Sequence, residues 1–376
     1  MEAGERHSEL LTRAQCRALR GIAIVMIVVH NVARHMPGNI DVNEYSLDIN
    51  NTRAFFAALS HPGYELVQQL FSFLGHYGVP LFVFLTGYGL VKKYELGSTA
   101  EVKRWPFVRE HYFKLLTLIF IGMMTLFAVS ALGYVYNFAS GAFEFRPRHW
   151  LLNTMWWPEQ ASMIVNFVSN KMSRFAYMGP YWYFGFAFQL YVLYRLVLYT
   201  RRHGTRRAWL VPVAVAVLSH VAMLLAWWAG EKRFISYLRY NALMGVLPLA
   251  MGVLAARYER VLPLPGAWWR AAVVAACAAA VPLMNFELNL WLLSPIAVVA
   301  GGVAAVTLCG RRVTAALAWL GDVSAMMFVL HPIVRHVFYR PGHHIDVYLL
   351  LGIYLAATVA LAALYQHVYT KCRRSR

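Results

Sequence analysis

The 376-residue chain reads as all-α: a polytopic integral membrane helical bundle of about ten transmembrane helices with cytoplasmic N- and C-termini. Three observations predict this. Ten long apolar segments follow one another with no soluble linker, which argues for one integral domain over residues 1–376. Hydrophobic residues make up 60% of the chain and charged ones only 14%, where a soluble chain carries roughly a quarter. With the N-terminus inside, 24 of the 35 Lys and Arg fall on the cytoplasmic side, the bias that orients membrane proteins. The net charge of +18 is spread over short loops between apolar spans, so it marks topology and no nucleic-acid partner is expected.

Taken in order, the spans are expected at about 18–36, 70–91, 113–136, 180–200, 208–229, 240–256, 269–286, 289–309, 315–338 and 346–369. The first is interrupted by His30, Asn31 and Arg34 and has no small-residue cleavage site after it, so it reads as a retained helix and not a signal peptide. Pro80, Pro248, Pro295 and Pro332 lie inside spans, where neighbouring helices can satisfy the freed backbone groups. Two outer loops are long. One runs from Pro37 to about Gln69 and carries Asp41, Glu44, Asp48 and Glu65; the other runs from about Asn137 to Gly179. The second holds Trp150, Trp156 and Trp157 around an apolar stretch too short to span, which reads as an interfacial or re-entrant helix. Cys16, Cys277, Cys309 and Cys372 are not placed for a disulfide in an outer loop. No internal repeat of the kind many transporters carry is visible.

His30 is the most informative residue. At about 1.5 Å per residue it lies roughly 15 Å beyond Arg20, near the middle of a hydrocarbon core about 30 Å thick. A titratable side chain there marks a functional site, the alternative being a core histidine bonded across helices. Because histidine titrates near neutrality, it suits a general base for a hydroxyl proton, or a transient acyl carrier. Arg34, one turn on, either pairs with an anionic group or snorkels to the outer interface. His331 precedes Pro332, which removes a helical hydrogen bond; the imidazole either orients substrate or bonds the kink. Thr86-Gly87 permits close helix approach or room for a CoA tail. Lys92, Lys93, Lys103, Arg104, Arg109 and Lys114 form a cytoplasmic cluster that either binds CoA phosphates or is ordinary inside charge. His343-His344-Ile345-Asp346 lacks a second ligand cluster, so no metal is expected. Neither G-x-x-x-x-G-K nor G-x-S-x-G occurs, so ATP use and a serine-esterase elbow are not indicated.

Several blocks, in order along nearly the whole chain, resemble the acyltransferase-3 membrane family. Arg20-Gly21-Ile22-Ala23 running into His30 is similar to its first-helix signature, and Gly78-Val79-Pro80-Leu81-Phe82-Val83-Phe84-Leu85-Thr86-Gly87-Tyr88 to its second-helix block. Lys103, Arg104, Arg109 and Lys114 resemble the basic entrance to its third helix, and Tyr181-Trp182-Tyr183-Phe184 with Gln189 and Tyr191 a middle helix. Asp322-Val323-Ser324 through Leu330-His331-Pro332 resembles its late S-x-x-x-Y-x-x-H-P pattern. The resemblance implies a ten-helix enzyme of the bacterial inner (plasma) membrane that moves an acyl group, most often acetyl, from cytosolic acyl-CoA to a carbohydrate or glycolipid acceptor on the far side. It also implies an essential helix-1 histidine with a basic partner upstream. The candidate catalytic residues are thus His30, Arg34 and His331, and the candidate donor-binding residues Arg20, Lys92, Lys103, Arg104, Arg109 and Thr86. Three departures stand out. Arg20 precedes His30 by ten positions where the family has eleven, which turns the two side chains about 80° apart; Thr86 replaces Ser, and Phe328 replaces Tyr. The competing readings are a non-enzymatic transporter or flippase of a glycan or lipid precursor, and a sensor that keeps the fold without catalysis.

The charge partition generates a prediction. In a background without the native cysteines, Ser46→Cys should react with an impermeant thiol reagent on intact spheroplasts and Ser98→Cys should stay silent. The reverse pattern would overturn the orientation.

Overall fold

A computed structural model describes residues 9–98, 100–132, 134–137, 142–145, 160–163, 166, 179–230, 232–262, 265–338 and 346–374. The helices are α1 (Arg13–Ala33), α2 (Ile49–Ser60), α3 (Leu66–Leu74), α4 (Gly78–Val91), α5 (Arg104–Leu132), α6 (Trp182–Leu193), α7 (Arg206–Trp228), α8 (Lys232–Arg239), α9 (Ala242–Arg257), α10 (Ala267–Leu283), α11 (Leu288–Leu308), α12 (Arg311–Phe338) and α13 (Val347–Arg374). Among the described residues, nine helical segments are long and apolar enough to cross a membrane. The tenth expected span is α6 extended by a π-helical turn, Tyr194–Leu198, which falls at the short limit for a crossing.

The expected boundaries shift for local reasons. Thr12 and Gln15 form a capping box, which starts α1 five residues early. α5 begins at Arg104, not near residue 113, because Pro106 sits in its first turn and Phe107, His111 and Leu115 bury one face at four-residue spacing. The outer loop after α1 is also largely helical. Asp48 caps α2 by accepting from the Asn50 backbone N–H at 2.9 Å, and Thr52 and Phe55 turn inward. After α5 the chain adds a two-stranded antiparallel hairpin, β1 (Tyr134–Asn137) with β2 (Ala142–Phe145), pairing Tyr134 with Phe145. Most of the segment expected to form an interfacial helix, including Trp150, Trp156 and Trp157, lies outside the described residues, as do Arg146, Arg148, Arg174, His343 and His344.

Two glycine-mediated crossings set the bundle. A Cβ on Gly21 would lie 2.0 Å from the Leu317 carbonyl oxygen, and one on Gly321 would lie 1.9 Å from that of Arg17, so α1 and α12 meet backbone to backbone. The Arg17–Asp322 ion pair closes the same crossing. α4 and α9 repeat the device: a Cβ on Gly87 would lie 2.4 Å from the Leu249 carbonyl oxygen, and one on Gly252 would lie 2.1 Å from that of Phe84. Packing therefore accounts for Gly87. Outward-facing residues are apolar, and Trp105, Trp209, Trp228, Trp268 and Trp269 stand exposed near helix ends, where indoles favour the interface.

The cytoplasmic end is held by buried polar groups. Glu95, in the π-helical turn after α4 (Lys92–Leu96), is bound by both Arg257 Nε and Nη2 at 2.8 Å and by Tyr194 Oη at 3.0 Å. Arg257 also donates to the Leu198 and Ala208 carbonyls at 2.5 and 2.6 Å. The ends of α4, α6 and α9 and the start of α7 thus meet on one side, as alternate crossings require. Lys92 joins there too, pairing with Glu259 at 2.8 Å and Glu9 at 3.0 Å.

The crossings yield a test of packing. Gly321→Ala and Gly252→Ala should each destabilise the solubilised protein by about 1–3 kcal/mol, seen as a lower melting temperature. Gly89→Ala, with open space around it, should be neutral or slightly stabilising. Unchanged melting of Gly321→Ala would refute the close α1–α12 contact.

Candidate active site

His30 is 2% exposed on α1, and its seat is made by glycine. The 3₁₀ turn Gly75–Tyr77 lies directly on α1: a Cβ on Gly75 would come within 2.5 Å of the His30 Cβ, and one on Gly78 within 2.5 Å of the Ala23 carbonyl oxygen. The preceding helix α3 brings the Phe71 carbonyl 3.2 Å from His30 Nδ1. A carbonyl only accepts, so Nδ1 carries the proton and Nε2 keeps its lone pair in the neutral ring. Nε2 has no hydrogen-bond partner among the described residues.

Facing Nε2 is a group that the sequence placed only in an outer loop. Glu44 Oε2 stands 3.9 Å from His30 Nε2 and 3.3 Å from Arg34 Nη1. Arg34 thus pairs with an anion, as one of its two readings expected. The loop carrying Glu44 is fixed from several helices. Arg239, at the end of α8, donates to the Glu44 carbonyl at 2.6 Å while its guanidinium lies 4.0 Å over the Trp291 ring of α11. Trp291 Nε1 in turn donates to the Asn43 carbonyl at 2.9 Å, and Tyr45 stacks on Tyr240 with centroids 3.9 Å apart. Burial by itself would raise the Glu44 carboxyl, but His30 whenever its ring is protonated, and Arg34 throughout, hold it below the usual carboxylate range.

His76, from the glycine turn, has its ring centroid 5.9 Å from that of His30 and makes no direct hydrogen bond through either ring nitrogen among the described residues. With Glu44, Tyr77, Arg239 and Ser294 it lines a cavity of about 20 Å³, room for about one water. Among the described residues no group of three or more His, Cys, Asp or Glu is arranged to hold a metal ion.

The other candidates separate. His331 is fully buried on α12 near His30, and its Nδ1 lies 2.8 and 3.1 Å from the Phe328 and Met327 carbonyls. Pro332 has no N–H for Phe328, so the imidazole fills the acceptor that the proline vacates. Arg20 lies ten residues before His30 on α1, and His30 faces the α3 side. Thr86 Oγ1 bonds its own helix at the Phe82 carbonyl, 2.9 Å away. Lys103, Arg104 and Arg109 are exposed at the cytoplasmic end, away from His30; Lys92 is held by its two glutamates. Of the site groups, Glu44 reads from sequence only as an outer-loop acid, whereas His76 reads as a helix-2 histidine and Arg239 as an outer charge placed to meet an acidic glycan, neither with a partner assigned. The legible signals were a carboxylate within aromatic, apolar surroundings and an arginine abutting a span.

Glu44 gives a pH prediction. A carboxyl whose folded pKa is depressed stabilises the fold above its unfolded pKa of about 4.3, and this contribution fades as pH falls from there toward the folded value. Glu44→Gln should therefore melt lower than the parent at pH 7, with the gap closing below about pH 4. A gap that stays constant to pH 3 would mean that the carboxylate is not held by His30 and Arg34.

Comparisons place this geometry in a family. A search of curated proteins finds no match, and a search of solved structures finds none. The acyltransferase-3 family model, described as an acyltransferase domain, matches residues 15–367. That stretch takes in His30, Glu44, His76, Arg239 and His331, and with it nearly every helix of the bundle. The chain belongs to the acyltransferase-3 family and is a membrane acyltransferase.

Proposed function

We propose that this enzyme moves an acyl group, acetyl in the simplest case, from cytosolic acyl-CoA to a hydroxyl of an envelope or exported carbohydrate, acting in a bacterial inner membrane. The observation that carries the reading is the placement of His30: its Nδ1 is committed to the Phe71 carbonyl, and its Nε2 has no hydrogen-bond partner among the described residues and lies beside a buried carboxylate. The acceptor hydroxyl gives its proton to His30 Nε2 as its oxygen attacks the thioester carbonyl carbon. The carbon–sulfur bond then breaks, and the imidazolium returns the proton to the departing CoA thiolate. Glu44 stabilises the imidazolium while it exists, and the Phe71 carbonyl holds the ring in the productive tautomer, the part that an aspartate plays in a hydrolase triad. Arg34, shared with Glu44, fixes the carboxylate and adds positive charge on the outer side.

The donor side is supported by position. Lys103, Arg104 and Arg109 form an exposed basic edge at the cytoplasmic end, suited to the phosphates of CoA. Arg20 extends positive charge inward along α1 toward Tyr183, whose ring lies 5.2 Å from that of Phe328, one turn from His331. His331 bonds the carbonyl that Pro332 leaves open in α12 and is a positioning residue in this scheme.

Substitution separates base from packing. His30→Ala should abolish acyl transfer with expression and membrane insertion intact, and His30→Gln should fall by about 10²–10⁴-fold because an amide takes no proton near neutrality. Arg20→Ala should retain partial activity. The readout is acyl transfer per folded protein, with mass spectrometry of surface glycans from cells with and without the chain identifying the product. Fully active His30→Ala would end the reading.

A further inference from the structure

The first two turns of α9 stand between two spaces. Met244, Gly245 and Pro248 face the small cavity beside Glu44 and His76. Ala242, Leu243 and Val246 face the other way, onto a groove of about 600 Å³ between α6, α7 and α9. Leu196 and Leu218 on its wall are 52% and 66% exposed, so it opens sideways. α7 and α9 are both membrane-spanning by length and hydropathy, and the solvent at that depth is hydrocarbon.

The groove walls are carbon apart from one end. There Gln189 is occupied by Asn241 and the Ala242 N–H, both at 2.9 Å, and Ser219 Oγ donates to the Leu243 carbonyl at 2.7 Å. The opposite end, past Val197 and Val215, leads to the Arg257–Glu95 ion pair with the Leu198 and Ala208 carbonyls. The groove is open on its lipid-facing side, so a hydrocarbon chain reaches it directly from the bilayer. Just outward of the polar end, Asn241, Tyr240 and Arg239 run straight into the loop that holds Glu44.

We propose that this groove seats the hydrocarbon tail of a lipid-linked sugar acceptor, so that the sugar is held at its outer end against the site. The inference rests on the acyl-transfer reading above and adds the form in which the acceptor arrives. A bulk phospholipid would account for the apolar wall. It would not account for a groove whose polar end shares the first turns of one helix with the cavity of the site.

Acceptors prepared from cells carrying His30→Ala would be unacylated. Two fractions are compared: the lipid-linked glycans, and the same sugars released from their lipid. With radiolabelled acetyl-CoA and the full-length protein in phosphatidylcholine vesicles, transfer to the lipid-linked fraction should be at least tenfold faster. Val215→Trp, which fills the groove, should erase that advantage and leave transfer to released sugars unchanged; Leu196→Trp at the exposed rim repeats the test with less demand on folding. Independently, a diazirine-bearing polyprenyl phosphate should label peptides of 188–197, 215–219 and 242–246 in the parent protein, and excess phosphatidylglycerol should not compete. Equal transfer to both fractions, or labelling that phosphatidylglycerol abolishes, overturns the groove assignment and leaves the enzyme reading standing. Transfer to neither fraction overturns both.

Discussion

A carboxylate buried among cations in the outer half of a membrane bundle is the constraint around which the candidate site is arranged. Glu44 is 7% exposed, and an ion so placed persists only with compensating charge and a fixed surround. Arg34 supplies the charge, joined by His30 only when its ring is protonated, while Arg239, Trp291 and Tyr240 pin the loop that delivers it. Removing one partner of such a group leaves the other uncompensated, so the arrangement stands or falls as a whole. The His30–Glu44 distance of 3.9 Å leaves the pair unjoined by a hydrogen bond, with a lone pair still available for chemistry.

The inner end is built on the opposite plan. Arg257 and Glu95 are both fully buried and saturate one another bidentately, with tyrosine and backbone partners completing the set. A saturated pair is a fastening. The same side-chain types produce a saturated structural joint at one end of the bundle and an incompletely satisfied cluster at the other.

Much of the fold was legible because membrane insertion is written locally. Apolar runs and proline positions each report on the segment that contains them, and the spans follow. The capping box at Thr12 and the amphipathic start of α5 were equally local and were passed over in favour of hydropathy alone. His30 was legible for the same reason: its depth follows from its distance along one helix. Its partners were not. Glu44 reaches it across a loop, His76 through a 3₁₀ turn, and Arg239 from 195 positions beyond Glu44. Nothing in composition or period encodes those meetings. The basic cluster is not uniform in structure: Lys92 is bound by two glutamates, while Lys103, Arg104 and Arg109 are exposed, a division that depends on long-range partners.

The proline inside α12 has an evolutionary consequence. Proline at 332 withdraws a donor from the Phe328 carbonyl, and histidine at 331 supplies one from its ring. The two residues therefore work as one inherited unit. A lineage that lost the histidine alone would bury an orphaned acceptor, and one that lost the proline alone would set a backbone N–H in competition with the imidazole for one oxygen. Losing both restores an ordinary helical bond. The effects of changes at 331 and 332 are for that reason non-additive, and drift along this helix is channelled through paired exchanges.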